Sequence, residues 1–476
     1  MIVKWKNAIK CIVFILLAVL SIAGAYRIFK WKDTSKVYNS SIEQLKNTPK
    51  DTIDVVFTGS SHTYCGIFPA VFWEQEGYSV FDLAISGQDK YSAYYCLKEL
   101  LKTQSPKVVF VDLYPFTYDK HAVEGNEHRN MMALPASVNS VKQLTDYYDL
   151  NDKEERKKVG NYFLRWPIVH TRYRELDRYD FMENPANGFL RGEDIMFVTN
   201  SVENYDPSQA EFNPADISEK NMKLINDFIE LSEKENFSLV FTVIPYRPGD
   251  SDLAILDGLI QYIEGKGLTV LDLNRKRSAL GLDTTSDFID DGHLNGYGAV
   301  KLSSYYVQYL NSYYSLPDHR GDGRYSQWED DLEYCNKLAF EEKLNRSESL
   351  PEALGLLTSR SDYVTVVCLE LDYHNSEYNY LNDLSILGMD AEEYSAGGGV
   401  WVYENGVLER VSYNDEDAQE AYRMLGKFDT LTAKFQGDLQ PENVLISAED
   451  ISNMGYYLKV TAYDKEYERI AFQRGY

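Results

Sequence analysis

Three short runs, Ile53–Phe57 (IDVVF), Tyr78–Ile85 (YSVFDLAI) and Lys107–Leu113 (KVVFVDL), are apolar almost without interruption. A strand with one wet face alternates in polarity. One that is apolar at nearly every position is buried on both faces, which marks a parallel sheet held between helices. The segments between and after these runs agree. Tyr91–Leu101 has apolar residues at helical spacing, and the pattern resumes with an amphipathic helix over Met222–Lys234. A strand at Ser238–Ile244, a helix at Leu253–Lys266, a strand at Leu268–Leu273 and a closing helix at Gly298–Tyr309 follow. The alternation predicts an α/β unit.

Between about residues 117 and 215 the alternation lapses into polar helices and aromatic-rich loops, including RWPIVHTRYRELDRYDF (165–181). This stretch reads as an insertion at the carboxyl edge of the sheet, where open α/β folds place their sites. Its interleaved Lys/Arg and Asp/Glu residues predict a solvated helix face. Residues 33–50 read as a polar, helical spacer, and Leu316–Gln327, rich in Pro, Gly, Asp and Arg, as a linker. After it, a charged helix over about Glu329–Asn345 leads into a second composition. There Tyr363–Glu370 reads as a strand, Leu381–Leu387 as a short helix, and Asn405-Gly406 between apolar runs as a hairpin turn. The 476 residues thus divide into 1–32, a catalytic candidate at 33–315, a linker and bridging helix at 316–344, and a C-terminal domain at 345–476.

Cys11–Ala25 (CIVFILLAVLSIAGA) is fifteen uncharged residues preceded by three lysines. Extended to Phe29 it is long enough to cross a bilayer, with Trp5 and Tyr26 at its two ends. Two readings stand: an uncleaved single-pass anchor, which is preferred, and a signal peptide cut after Ala23 and Ala25. Either puts the bulk of the chain outside the membrane. Formal charge is −26, with 48 basic and 74 acidic residues. Residues 1–32 hold six Lys/Arg and no Asp or Glu, so the remainder carries −32. Such an acidic body repels phosphate backbones and excludes a nucleic-acid partner. The five cysteines show no metal-ligand spacing and no disulfide framework.

Two segments carry chemistry. Gly59-Ser60-Ser61-His62 follows the first strand directly, where a serine on a strand-to-helix turn exposes its hydroxyl at the sheet edge. Asp290-Asp291-Gly292-His293-Leu294-Asn295 precedes the last helix of the α/β unit. A carboxylate three residues before a histidine can accept its Nδ1–H and aim the other nitrogen at the serine. Cys65 and the series Tyr64, Phe68, Phe72 and Trp73 read as a packed helix face, with a sugar-binding groove as the alternative for the aromatics. His62 reads as a substrate contact or a turn cap, and His170 and Arg172 as structural, with anion binding as the alternative.

On these residues the chain resembles the SGNH/GDSL hydrolase superfamily over about residues 50–315. The resemblance implies a three-layer, flavodoxin-like parallel sheet. Gly59-Ser60-Ser61 is similar to the Gly-Asp-Ser block, making Ser61 the nucleophile. Asp290-x-x-His293 is similar to the final block, with Asp290 as the orienting acid and Asp291 as its alternative. Gly87, after the second strand, stands where the family uses a glycine N–H in the oxyanion hole, together with the Ser61 N–H. The family's Gly-x-Asn block is replaced by Val111-Asp112-Leu113-Tyr114-Pro115, so its asparagine donor is missing, and Gln88 is a candidate substitute. With the membrane segment, the chain looks like the branch that includes the teichoic-acid D-alanylation and alginate O-acetyltransferase families. That implies acyl transfer or ester hydrolysis on a cell-surface polymer or glycan, without metal or cofactor, and a membrane-embedded acyl-donor protein as partner. The missing block favours a second reading, a non-catalytic scaffold that binds glycan or a partner. The C-terminal part, an α+β domain, resembles the interleukin-like EMT inducer domain at Tyr363–Val367, Gly399–Tyr403 and Tyr457–Asp464. It suggests a binding module.

Overall fold

A computed structural model of the chain describes residues 2–30, 41–119, 123–176, 180–181, 196–202, 208, 210–370, 378–395, 397–412, 419–427, 429–436, 440–447, 449–452 and 455–476. The chain forms two compact units, Met1–Cys335 and Asn336–Tyr476.

The first unit opens with the helix α1 (Ile2–Phe29), followed by α2 (Ser41–Asn47). The described part of the polar spacer is thereby corrected. Ile42 and Leu45 of α2 are buried in the core, and the Ser41 hydroxyl donates to the Ala84 carbonyl. The chain then runs through β1 (Val55–Thr58), α3 (Ser61–Gly66), α4 (Pro69–Glu76), β2 (Val80–Asp82), α5 (Lys90–Leu100) and β3 (Val108–Asp112). The insertion contributes α6 (Glu124–Ala133), α7 (Val138–Tyr147), α8 (Lys153–Leu164) and α9 (Trp166–Val169). After it come α10 (Glu219–Glu235), β4 (Ser238–Val243), α11 (Asp250–Glu264), β5 (Val270–Asp272) and α12 (Arg277–Leu280). The α/β unit closes with β6 (Phe288–Asp290), β7 (His293–Leu294) and α13 (Gly296–Tyr313).

β1 to β5 form one parallel sheet in the order β2-β1-β3-β4-β5. Side chains alternate between its faces, and helices cover both. Val56, Val109, Val111 and Phe241 pack with Leu97, Phe228 and Ile263 of α5, α10 and α11. Val55, Phe57, Phe110 and Val240 pack with Phe72 of α4 and Leu302, Tyr306 and Leu310 of α13. Phe57 and Phe110 stack at 4.5 Å between ring centroids, and both meet the edge of Tyr306. The strand order reverses direction between β1 and β3, and the carboxyl ends of the strands at such a point are where open α/β sheets place their ligand sites.

Leu316–Gln327 does not behave as a free linker. The His319 ring stacks on Tyr325 at 3.8 Å and its Nε2 meets Asp54 at 2.6 Å. Tyr325 and Trp328 are buried, and the Trp328 indole donates to the Val80 carbonyl. Composition marks a turn-rich segment, and these two aromatics fasten it. The division between the units falls later, inside α14 (Ser326–Asn345).

The second unit is β-rich. α15 (Leu350–Thr358) is followed by β8 (Tyr363–Leu369), β9 (Gly399–Glu404) and β10 (Val407–Arg410). β9 and β10 pair as the hairpin that Asn405-Gly406 predicts, and both turn residues have positive φ (52° and 84°). β11 (Glu420–Met424), β12 (Thr430–Gln436), β13 (Gln440–Ile446) and β14 (Glu449–Asp450) make a four-stranded sheet. β15 (Leu458–Asp464) and β16 (Arg469–Gly475) complete a five-stranded antiparallel sheet with β8 to β10.

Two carboxyls are buried beneath the carboxyl edge of the parallel sheet. Asp82 ends β2 and Asp112 ends β3, on either side of β1, and their exposures are 0% and 1%. Burial lifts Asp82 well above the carboxylate range, and the neighbouring Asp112 lifts it further. Burial pushes Asp112 from 3.8 up to about 7, against the N–H groups of Tyr114 and Ile244 that favour its charge. The folded state therefore keeps a proton at Asp112 that the unfolded chain releases. Its stabilising contribution is complete below pH 3.8 and is lost as pH rises through about 7. We expect Asp112→Asn to flatten the decline of unfolding free energy across that window by about one proton, roughly 1.4 kcal/mol per pH unit. Urea unfolding at a series of pH values measures it, and equal slopes in the two proteins would contradict the assignment.

Candidate active site

The turn after β1 is set by space. A Cβ on Gly59 would lie 2.0 Å from the Thr63 hydroxyl oxygen and 2.7 Å from the Asp112 Cβ, so only glycine fits. The chain then turns into α3 at Ser61. Ser60 is fully buried, whereas Ser61 reaches solvent. Of the two serines, Ser61 is the one a substrate can meet.

β6 and β7 form a small antiparallel hairpin in which Asp290 and His293 are partners. Cross-strand partners lie close on one face. Both Asp290 carboxylate oxygens accordingly approach the His293 Nδ1, at 2.8 and 3.0 Å, and Oδ1 also accepts the Gly292 N–H at 2.7 Å. An ionised carboxylate only accepts, so the Nδ1 carries the proton. The Nε2 lone pair then faces the Ser61 hydroxyl at 2.7 Å. Asp291 points elsewhere: its carboxylate lies 3.5 Å from Arg247, and its carbonyl accepts the Arg247 N–H. That removes it as the alternative partner of His293. Asn295 holds the hairpin to α13, accepting the N–H groups of Tyr297 and Gly298 and donating to the Ser286 carbonyl. The line Asp290–His293–Ser61 lies at the surface, with 57% of the Asp290 and 28% of the His293 side chain exposed.

The loop after β2 runs beside the serine turn, because the Ile85 N–H donates to the Gly59 carbonyl. Two residues on, Gly87 has φ +59°, and a Cβ there would lie 2.5 Å from the Asn126 Nδ2. Arg129 donates to the Asn126 Oδ1 at 3.1 Å and to the Ser86 hydroxyl at 3.0 Å. A guanidinium only donates, so the Asn126 oxygen must face Arg129, and its NH2 turns to the Gly87 side. The buried Asn130 clamps the same loop, donating to the Gly87 carbonyl and accepting the Asp89 N–H. Asn126 was not foreseen. It lies on α6 of the insertion, and nothing in its sequence neighbourhood points to the site.

Gln88, the candidate substitute donor, is corrected. It is fully buried, its oxygen accepts from Thr58 and its NH2 donates to the Leu83 carbonyl. It ties β1 to β2. His62 is buried in an aromatic cage, 4.0 Å from Tyr114, 4.6 Å from Tyr246 and 5.4 Å from His293 between ring centroids. Burial, and then the charge of His293, hold its pKa well below the ordinary value, so it packs as a neutral ring behind His293. Cys65, Tyr64, Phe68, Phe72 and Trp73 are all buried, so they line no open groove. His170 is exposed and its Nδ1 meets the Pro167 carbonyl, while Arg172 is buried against Asp180.

No protein-family model matches the chain, and no curated protein matches it. Among solved structures it is similar to an acetyl xylan esterase from the rumen bacterium Butyrivibrio proteoclasticus, at TM-score 0.24 and 11% identity. That likeness covers 56% of this chain and 65% of the esterase, just under two thirds of its length. At this level of similarity it carries no weight for the chemistry of the site.

The approach of Asn126 to Gly87 has a measurable consequence. Gly87→Ala places a side chain at positive φ and against the Asn126 amide, and is expected to cost about 1–2 kcal/mol. Adding Asn126→Ala should recover the part due to crowding, leaving the backbone strain. A denaturant double-mutant cycle tests this, and additive losses would mean that the two residues do not touch.

Proposed function

We propose that this protein is a serine acyltransferase or esterase of the SGNH type, acting outside the membrane on acyl groups of a cell-surface polymer or glycan. The observation that carries the reading is the hydrogen-bonded line from Asp290 through His293 to a solvent-reached Ser61, drawn from segments 232 residues apart in the chain. The strand order β2-β1-β3-β4-β5, with this line at its carboxyl edge, is what a flavodoxin-like fold of that superfamily requires.

In this mechanism Ser61 Oγ attacks the acyl carbonyl carbon while His293 Nε2 takes the hydroxyl proton. The imidazolium is stabilised by Asp290, which also keeps the ring in its productive tautomer. The carbonyl oxygen becomes an oxyanion facing the N–H groups of Ser61 and Gly87. The Asn126 NH2 is the third donor, supplied by the insertion where the usual asparagine is absent. Collapse breaks the ester C–O bond, and His293 returns its proton to the leaving alcohol. The acyl-Ser61 ester is then resolved by water or by an acceptor hydroxyl, which His293 deprotonates in turn. The removal of one oxyanion donor typically costs 10²- to 10³-fold in rate. The non-catalytic reading rests on the missing asparagine block and the acidic C-terminal appendage, and an amide from Asn126 beside Gly87 weighs against the first of these.

The test is labelling by a serine-directed fluorophosphonate together with acetate release from an acetylated glycan. Wild-type protein should label, and Ser61→Ala should not. Asn126→Ala should lower turnover about 100-fold with little change in KM, because the donor serves the transition state. A folded wild-type protein that neither labels nor releases acetate would overturn the enzyme reading. Labelling without acetate release would restrict the chemistry to another acyl group. Mass spectrometry of surface polymers from cells carrying Ser61→Ala then identifies the group and the acceptor.

A further inference from the structure

The end of α1 is gripped by the insertion. Arg172, buried and paired through both guanidinium NH2 groups with Asp180, donates to the carbonyls of Phe29 at 3.0 Å and Lys30 at 2.8 Å. These are last-turn carbonyls that no residue of the helix itself can satisfy. The Phe29 ring packs on Trp166 at 5.6 Å between centroids, and Lys30 pairs with Glu43 of α2 at 2.9 Å. Further back the helix is bare: Phe14, Leu16, Leu17 and Leu20 are 72%, 56%, 58% and 66% exposed. The apolar window Ile9–Phe29 has 21 residues, which at 1.5 Å each makes about 31 Å, the thickness of a bilayer's hydrocarbon layer. Phe29 then lies at one face of that layer, and whatever touches Phe29 lies at the same depth.

Around this grip the insertion exposes large apolar side chains. Trp166 itself is 36% exposed, and Phe163 and Leu164 just before it are 64% and 66%. Tyr173, next to Arg172, is 57% exposed, and Phe181, next to Asp180, is 66%. Five such residues lie within three positions of Trp166, Arg172 and Asp180, the groups that hold the end of this apolar helix. Trp and Tyr favour the headgroup boundary, where an apolar body and a polar tip are both satisfied.

We propose that the exposed side chains of Phe163, Leu164, Trp166, Tyr173 and Phe181 are a second membrane contact, seated in the headgroup–acyl boundary of the leaflet in which α1 ends. The occupant of the patch is lipid. The first unit is thereby held on the membrane by a crossing helix and an interfacial patch locked together through Arg172 and Asp180, and does not swing on a tether. The proposal also selects the uncleaved anchor over the signal peptide, since a cut after Ala25 would leave Arg172 capping a helix that is gone. It does not depend on the chemistry of Ser61.

The full chain carrying Cys11→Ser, reconstituted in phosphatidylcholine–phosphatidylglycerol vesicles, tests it through nitroxides placed by Phe163→Cys, by Phe181→Cys and, as a reference, by Tyr313→Cys, whose native side chain is 70% exposed. Labels at 163 and 181 should collide several-fold more with oxygen than with a water-soluble nickel chelate, and the label at 313 the reverse. Nickel access at 163 and 181 equal to that at 313 would overturn the proposal by placing the patch in water. Exclusion of both reagents would overturn it by showing the patch packed against a second copy of this chain, and an intact mass from cells showing that the chain begins after Ala25 would overturn it as well. None of these results depends on fluorophosphonate labelling.

Discussion

The space beneath Gly59 governs what the rest of this site can be. β1 is paired on both edges and buried on both faces, so its backbone can leave the sheet only at its carboxyl end. There the Thr63 hydroxyl and the Asp112 Cβ stand too close for any side chain. The chain passes as glycine, sends Ser60 inward and brings Ser61 to the surface at the start of α3. Had Gly59 been free to move, the Ser61 hydroxyl would have no fixed position, and 2.7 Å from His293 would have no meaning. The opposite side of the contact is equally constrained. Asn295 caps α13, and a Cβ on Gly298 would strike the Asp287 carbonyl at 2.4 Å, so the hairpin carrying Asp290 and His293 sits against its helix without slack.

These constraints use buried polar groups, which cost stability unless they are satisfied. Asn130 and Asn295 are each fully buried, and each both donates and accepts, fastening the Gly87 loop and the His293 hairpin. Asp82 and Asp112 meet the cost another way. Burial outweighs the donors that reach them and favours the protonated form of both, so that they stand as compact polar fillers on either side of β1. His62 follows the same logic on the far side of His293. A charged imidazole there would compete with the imidazolium that the proposed mechanism needs, and burial among Tyr114 and Tyr246 favours the neutral ring.

The parts that could be read in the chain are those whose cause is local. Strands buried on both faces are apolar almost throughout, so β1, β2 and β3 were visible as runs. Their ends were less so, because pairing decides them: β2 counts only Val80–Asp82, although Leu83 and Ile85 still donate to the carbonyls of Phe57 and Gly59. Asp290 and His293 are three residues apart, and their contact needs only a hairpin. The helicity of α2 was legible but its burial was hidden, because SIEQLKN carries just two apolar residues, Ile42 and Leu45, and their burial depends on a surface made elsewhere. The strap at Leu316–Gln327 was hidden because Pro, Gly and Asp announce a turn and say nothing of what Tyr325 fills. Asn126 is the clearest case. Its value lies in where α6 docks, and docking is set by the buried Asn130 and by Arg129 reaching Ser86, contacts that span more than forty residues.

The insertion is therefore more than an interruption of the sheet. Its first helix holds the loop that carries Gly87 and brings an amide beside it. Its later segment grips the last turn of α1. Between the two, α6, α7 and α8 pack through the buried residues Met131, Leu144, Tyr147, Tyr148 and Tyr162, and the Tyr148 and Tyr162 hydroxyls share the Glu127 carboxylate. A loop alone could have joined α1 to the sheet. Here one packed body touches both the last turn of α1 and the edge of the site, so Ser61 and the end of α1 are linked through Arg172, Trp166 and the packed helices of the insertion.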